Sequence, residues 1–239
     1  MTDKAPQPDH SVSAVMTVRD GERYIGEAID SMLEQSEPPG EIVVVDDGSQ
    51  DGTPAIVEGY GGVVRLLRQE PQGQGTALNA ALEAVSGELI ALLDSDDLWT
   101  PRKNELQTQA LAADPELDMV FGHVEEFVSP DLDESERARL RPVEGVAVPA
   151  KLKGTMLIRA EAMRRAGPFA TDWVVAEFVD WYARANDAGL RESMLGEVVL
   201  RRRLHRENIG RRRKDARQEY ATVMAERLRR RRRRARGEL

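Results

Sequence analysis

Three carboxylates fall within four residues at Asp94-Ser95-Asp96-Asp97, directly after the apolar run 89–93. Crowded carboxylates repel one another once they leave bulk water, and a divalent cation between them relieves the repulsion. Mg²⁺ or Mn²⁺ held by one or two carboxylates keeps coordination positions open for diphosphate oxygens, so the turn suits stabilisation of a phosphate leaving group. Against this stands the plainer reading of any lone D-x-D-D, a solvated acidic turn. A second acidic pair, in Asp46-Asp47-Gly48-Ser49, closes the β-branched run 42–45 with turn chemistry. The 239 residues contain no cysteine. Disulfides and thiolate metal sites are thereby excluded, and a bound metal has only oxygen and imidazole ligands to draw on.

The elements that must carry these turns alternate regularly. Residues 12–18 predict a strand, and Tyr24, Ile25, Ala28, Ile29, Met32 and Leu33 recur at helical spacing until Pro38-Pro39-Gly40 stops them. Strands at 42–45, 63–67 and 89–93 then alternate with helices at 53–60 and 76–85. The runs 42–45 and 89–93 are continuously apolar, as strands covered by helices on both faces tend to be, and imply an α/β domain with a central, mostly parallel sheet. Ligands of such sheets bind beyond the carboxyl ends of the strands, so the two acidic turns are expected to share one crevice. Further along, 101–113 predicts a helix with proline in its first turn, 118–124 a strand and 154–158 a short strand. Helices at 160–166 and 176–188 end on Gly167-Pro168 and Gly189, and 198–204 predicts a last strand. The charged stretch 129–141 reads as a mobile loop near an acceptor, and residues 1–11, with two prolines, as a loose arm.

The net charge of -8 divides unevenly. From Arg201 onward lie 17 of the 34 Lys+Arg but only five of the 42 Asp+Glu, leaving -20 over 1–200 and +12 over the last 39 residues. Residues 211–236 fit a very basic helix that frays at the arginine tract 229–234. Such a tail attracts phosphates, acidic lipid headgroups, nucleic acid or the acidic body of the chain itself. No run of about 18 apolar residues is present to span a bilayer, and the first ten residues are polar, unlike a secretory leader. The expectation is a cytoplasmic protein with peripheral contact to the inner membrane face through the arginine tail.

Four segments now combine: Ser13-Ala14-Val15-Met16-Thr17-Val18, Val45-Asp46-Asp47-Gly48-Ser49-Gln50-Asp51-Gly52-Thr53, Gly73 with Asn79, and Asp94-Ser95-Asp96-Asp97-Leu98-Trp99-Thr100-Pro101. In order and spacing they resemble the family 2 glycosyltransferases of GT-A fold, over roughly residues 12–103, the likeness becoming patchy past 115. The resemblance implies a single GT-A type α/β domain with a Rossmann-like, mostly parallel sheet flanked by helices. Within it, 12–114 would be the nucleotide-sugar-binding half, 115–210 the acceptor-binding half and 211–239 the arginine-rich tail. It also implies a nucleotide diphosphate sugar as donor, a UDP-sugar foremost, with Mn²⁺ or Mg²⁺. By the resemblance Thr17 lies beside the nucleotide, Asp47 accepts a hydrogen bond from the base, and Gly73 and Asn79 approach the donor. Asp96 contacts ribose or metal, Asp97 binds the metal directly, and Asp94 does either. A carboxylate suits the base contact because it accepts from an imide N–H without titrating. Asp46 is left to bond amides of its own turn, Asp51 to cap the helix at Thr53, and Trp99 and Pro101 to pack the metal loop. Leu78 stands where the family commonly carries arginine.

The acceptor half departs from the family pattern. Glu177-Phe178-Val179-Asp180-Trp181-Tyr182-Ala183-Arg184 resembles the Glu-Asp helix start of the family, but Phe178 occupies the position of the general base. An inverting transfer needs a carboxylate to take the acceptor's proton. Glu177 and Asp180 share a helix face; Asp180 is the preferred base and Glu177 the other, against a plain Asp180 to Arg184 helical salt bridge. Leu204-His205-Arg206-Glu207-Asn208-Ile209-Gly210 resembles the late R-x-H segment, which implies His205 at metal or diphosphate. Arginines 201–203 and 211–213 flank it with positive charge for a departing nucleotide. The expectation is an inverting transferase moving a hexose or amino-sugar to an acceptor among lipid carriers, peptides, natural products and glycans, with nucleic acid not expected as a partner. Two other classes stay open: a catalytically silent nucleotide-binding module, and a nucleotidyltransferase, which would usually carry a glycine-rich N-terminal loop that this chain lacks.

Overall fold

The computed structural model describes residues 11–140, 145–206 and 219–223, together with residues 225, 227, 229 and 233. The expected arm, apart from Ser11, and most of the arginine tract 229–234 lie outside the described residues. Strands β1 (Val12–Val18), β2 (Glu41–Asp46), β3 (Val64–Arg68) and β4 (Leu89–Asp94) form a parallel half-sheet in the order β3-β2-β1-β4. Every residue of β1 is buried, as is all of β2 after its first residue. Alternate side chains serve two cores. Ala14, Met16 and Val18 pack with Ile25, Ile29 and Met32 of α1 (Ile25–Leu33) and with Val57 of α2 (Thr53–Glu58). Val15, Val43 and Val45 instead face Ala77, Leu78 and Ala81 of α3 (Gln74–Ala84).

The other half of the sheet is mixed. Beyond β4 come β8 (Leu157–Arg159), β6 (Met119–Val128), β9 (Glu192–Leu204) and β5 (Leu98–Trp99), with β7 (Ala147–Ala150) also on β6. β6 and β9 run parallel from Met119↔Glu192 to Val128↔Leu204, whereas β4–β8, β6–β8, β6–β7 and β5–β9 are antiparallel. Residues 145–159 re-enter the sheet through turns, which favours antiparallel neighbours over the crossover that parallel pairing needs. β6 and β9 outrun the strands predicted at 118–124 and 198–204, because their charged ends are held by pairing with each other and not by apolar burial.

Helices α4 (Lys103–Ala113), α6 (Ala160–Ala166) and α7 (Glu177–Asp187) stand where the spacing predicts them, α4 beginning just after a turn at Pro101 and Arg102. Two expectations are corrected. Lys153–Thr155 is a 3-10 turn ahead of β8, where the sequence predicts a strand over 154–158. The stretch predicted as a mobile loop contains α5 (Glu134–Leu140), started by a reciprocal cap: Glu136 N donates to Asp133 Oδ1 at 2.9 Å and Asp133 N donates to Glu136 Oε2 at 3.1 Å. No helix among the described residues is long and apolar enough to cross a membrane. The registers Val18↔Asp46 and Thr17↔Asp94 bring the carboxyl ends of β1, β2 and β4 level, so both acidic turns open on one crevice.

Candidate functional site

The first acidic turn divides its two carboxylates between the backbone and the next loop. Asp46 is fully buried and Oδ1 accepts from Ser49 N at 2.9 Å, closing its own turn as expected. Asp47 reaches across to the loop between β3 and α3: Oδ1 accepts from Gln69 Nε2 at 2.7 Å and Gln72 N at 2.8 Å, and Oδ2 from Gly73 N at 2.8 Å. Gly73, at φ +92°, takes a backbone conformation that other residues rarely adopt, and α3 starts immediately after it. A Cβ on Gly75, the second residue of α3, would lie 2.2 Å from Ala170 O, so α3 can approach the segment after α6 only with glycine there. Asp51 Oδ1 accepts from Thr53 N at 3.0 Å at the start of α2. Thr17 sits buried at the end of β1 between the two turns.

One donor-side expectation changes. Asn79 does not reach into the crevice: its Nδ2 donates to Phe169 O at 2.9 Å and its Oδ1 accepts from Phe169 N at 2.8 Å, a clasp that uses both ends of the amide. Leu78, on the core face of α3, is buried, in keeping with the absence of the arginine that the family commonly carries there.

The second acidic turn is built against β9. Arg203, 1% exposed, donates from its backbone N to Asp97 Oδ1 at 2.8 Å and from Nε to Asp96 O at 3.0 Å, and its Nη2 reaches Glu27 Oε2 at 2.7 Å. Its guanidinium lies 4.7 Å from the Tyr24 ring centroid, and that ring also packs on His205 at 4.8 Å. His205 is buried and its Nε2 stands 2.9 Å from Asp96 Oδ2. Burial opposes ionisation of Asp96, but the His205 contact, a backbone amide and the Lys153 charge together outweigh it, leaving the carboxyl below its ordinary range. Asp97 goes the other way: burial, reinforced by Asp96 and Asp94, pushes it well above.

Among the described residues, no three His, Asp or Glu side chains are already gathered as a metal-holding group. The donor set nevertheless suits Mg²⁺ or Mn²⁺. A cation would relieve the repulsion that raises Asp97. The 2.9 Å contact between Asp96 Oδ2 and His205 Nε2 sets a carboxylate oxygen beside an imidazole nitrogen, the two kinds of ligand left to a chain without cysteine.

The other flank of the second acidic turn is held by a residue that the sequence did not single out. Lys153, on the 3-10 turn, is buried with Nζ 2.7 Å from Asp94 Oδ1 and 3.5 Å from Glu177 Oε1. Burial works against its charge, but Asp94 and Glu177 more than offset it and hold the ammonium above its ordinary range. With its amide turned to suit both neighbours, Gln74 donates to Glu177 Oε1 at 3.2 Å and accepts from Lys153. Glu177 Oε2, also buried, has no hydrogen-bond partner among the described residues. The signal available in the sequence was one of charge balance: five clustered acids at two strand ends need a buried cation.

Of the two expected bases, Glu177 is the one brought to the acidic turn. Asp180 is buried and accepts from Arg184 Nε at 2.9 Å, while the same guanidinium donates to Ala166 O at 2.6 Å and Pro168 O at 2.7 Å. The Asp180 to Arg184 pair thus ties α7 to the end of α6. Phe178 stacks on Trp181 and Tyr182, with ring centroids 5.8 and 6.3 Å apart, and offers no proton acceptor.

The family model described as Glycosyl transferase family 2 matches residues 13–169. An uncharacterized glycosyltransferase of Rickettsia typhi is 41% identical over 100 residues, which are 42% of this chain and 31% of that protein. The chain therefore spans about a third of that relative's length. S. aureus TarS 1–349 in complex with UDP-GlcNAc has a similar fold, with TM-score 0.70 and 21% identity over 90% of this chain and 64% of that one. So does the mannosyltransferase PcManGT from Pyrobaculum calidifontis in complex with GDP-Man and Mn²⁺, with TM-score 0.63 and 27% identity over 86% and 61%. The matched span holds both acidic turns, Lys153 and the strand that Lys153 precedes, and on that ground the chain belongs to glycosyl transferase family 2.

Proposed function

We propose that this crevice binds a UDP-sugar and a divalent cation and transfers the sugar, with inversion, to an acceptor hydroxyl. The observation that carries the reading is the convergence of Thr17, the loop pinned by Asp47, and the 94–97 turn at the level ends of β1, β2 and β4. Base and ribose lie by Thr17 and Asp47, and the diphosphate lies over the second turn. Asp97, Asp96 and His205 would hold Mn²⁺ or Mg²⁺, which supplies charge neutralisation for the leaving diphosphate. Asp94, held by Lys153, borders the same diphosphate.

Glu177 is the general base in this reading. Lys153 and Gln74 tether Oε1, which leaves Oε2 to take a proton. The acceptor O–H bond breaks as its proton passes to Oε2, the acceptor oxygen bonds to the anomeric carbon, and the bond from that carbon to the diphosphate breaks. The configuration inverts and the nucleoside diphosphate departs. The acceptor hydroxyl belongs to a lipid carrier, peptide, natural product or glycan, and the arginine tail would draw the site toward acidic lipid, each arginine contributing about 1 kcal/mol near the surface.

Phe178 at the usual base position favours one other reading, a module that binds nucleotide without turnover. Incubation with Mn²⁺ and a panel of UDP-sugars and GDP-mannose separates the two. Release of nucleoside diphosphate supports transfer chemistry, and binding without release leaves the silent module. Release of pyrophosphate would indicate nucleotidyl transfer, and neither binding nor release refutes the donor site.

A further inference from the structure

The part of the C-terminal helix at residues 219–223 docks beside Glu177. Glu219 Oε2 accepts from Val174 N at 3.1 Å and Val175 N at 3.0 Å, two amides just ahead of α7. Val223 is fully buried, and Arg227 Nε lies 3.9 Å from Asp187 Oδ1 at the far end of α7. These anchors lay the C-terminal helix along α7 in the same direction, so its first described turn stands over the end of α7 that carries Glu177. Tyr220 follows Glu219 there and is 37% exposed. Its phenol is in electrostatic reach of Glu177, Arg202 and Lys153 at once, and burial followed by the Glu177 charge raises its pKa.

We propose that this turn is the acceptor-side wall of the site, docked by Glu219, with the ring of Tyr220 positioning the acceptor and screening the Glu177 corner from bulk water. The inference rests on the glycosyl-transfer reading. A site that transfers to a bound hydroxyl must keep water from the same corner, because water is itself a competent acceptor. Residues 219–223, anchored through Glu219 on the amides of Val174 and Val175, supply a cover at that end of α7. A flat ring with a polar edge offers both an apolar face and a hydrogen-bonding group to an incoming acceptor.

The test uses the full chain with UDP-GlcNAc and Mn²⁺ and no added acceptor. UDP affinity is read by calorimetry and UDP release by a coupled assay. Tyr220→Ala and Glu219→Gln should leave UDP affinity within about twofold of wild type and raise hydrolysis several-fold. Tyr220→Phe, which keeps the ring, should hydrolyse at the wild-type rate. Hydrolysis unchanged in Tyr220→Ala would overturn the wall, and so would a parallel loss of UDP affinity and hydrolysis, which marks general support of the fold. A wild-type chain that binds no UDP would sink the donor reading itself, and the wall with it.

Discussion

Replacing Lys153 with Met removes the cation between Asp94 and Glu177. The two carboxylates would not suffer equally: the Glu177 side chain is 4% exposed and cannot rehydrate in place, whereas that of Asp94 is 35% exposed and can. Breaking a buried ion pair by deleting one partner costs about 3–5 kcal/mol, and the solvent access of Asp94 puts this case near about 3 kcal/mol. For a chain of this size that lowers Tm by about 6–12 °C. Urea unfolding at pH 7 of wild type, Lys153→Met, Glu177→Gln and the double variant measures it. The double variant should be more stable than Lys153→Met alone, since it no longer buries an unpaired carboxylate. A Lys153→Met chain within 1 kcal/mol of wild type, on the order of the scatter for surface substitutions, would refute the reasoning.

Three further outcomes are expected. Glu177→Gln should abolish donor hydrolysis and transfer while UDP affinity by calorimetry stays within about twofold, and a variant with normal turnover would remove Glu177 from the base role. Asn79→Ala breaks both bonds to Phe169 and should cost about 1–3 kcal/mol in urea unfolding without weakening UDP binding; a selective loss of UDP affinity would restore the donor contact. Lys103, fully buried under the Trp99 ring at 4.4 Å, has its pKa lowered by burial to about 7. Between about pH 7 and about 10.4 the unfolded chain holds a proton that the folded chain lacks, so this lysine's penalty is complete below pH 7 and fades as pH rises. Lys103→Met should therefore raise the unfolding free energy most at pH 7 and below, by about 1–3 kcal/mol after allowing for the lost cation–π contact, with the gain shrinking toward pH 10; a gain independent of pH would contradict the assignment.

The donor half was legible because its physics is local. Strands buried on both faces show as continuous apolar runs, and a turn that must follow them shows as acids and glycine, so β2 and β4 with their acidic ends could be placed from the chain alone. Asp133 and Glu136 have the spacing of a helix start, but they lie in a stretch whose charge and few apolar residues point to a loop. Lys153 could not be found that way, because its partners lie 59 and 24 residues away and only the antiparallel entry of β8 beside β4 brings them together. Asn79 differs for a related reason: the resemblance implies a donor contact, yet the helix turns its amide toward Phe169, 90 residues on. Glu177 and Asp180 share a face by spacing, and only the position of α6 decides which of them Arg184 occupies.

The central claim is that the Asp94–Asp97 turn is the metal and diphosphate half of a donor site. Calorimetric titration of UDP into wild type and Asp97→Asn, each with and without Mn²⁺, tests it most directly. The account predicts UDP binding to wild type that strengthens at least about tenfold with Mn²⁺, a gain of about 1.4 kcal/mol, and no metal enhancement in Asp97→Asn at unchanged Tm or above. Metal enhancement of equal size in the two proteins, or no UDP binding to either, would contradict it.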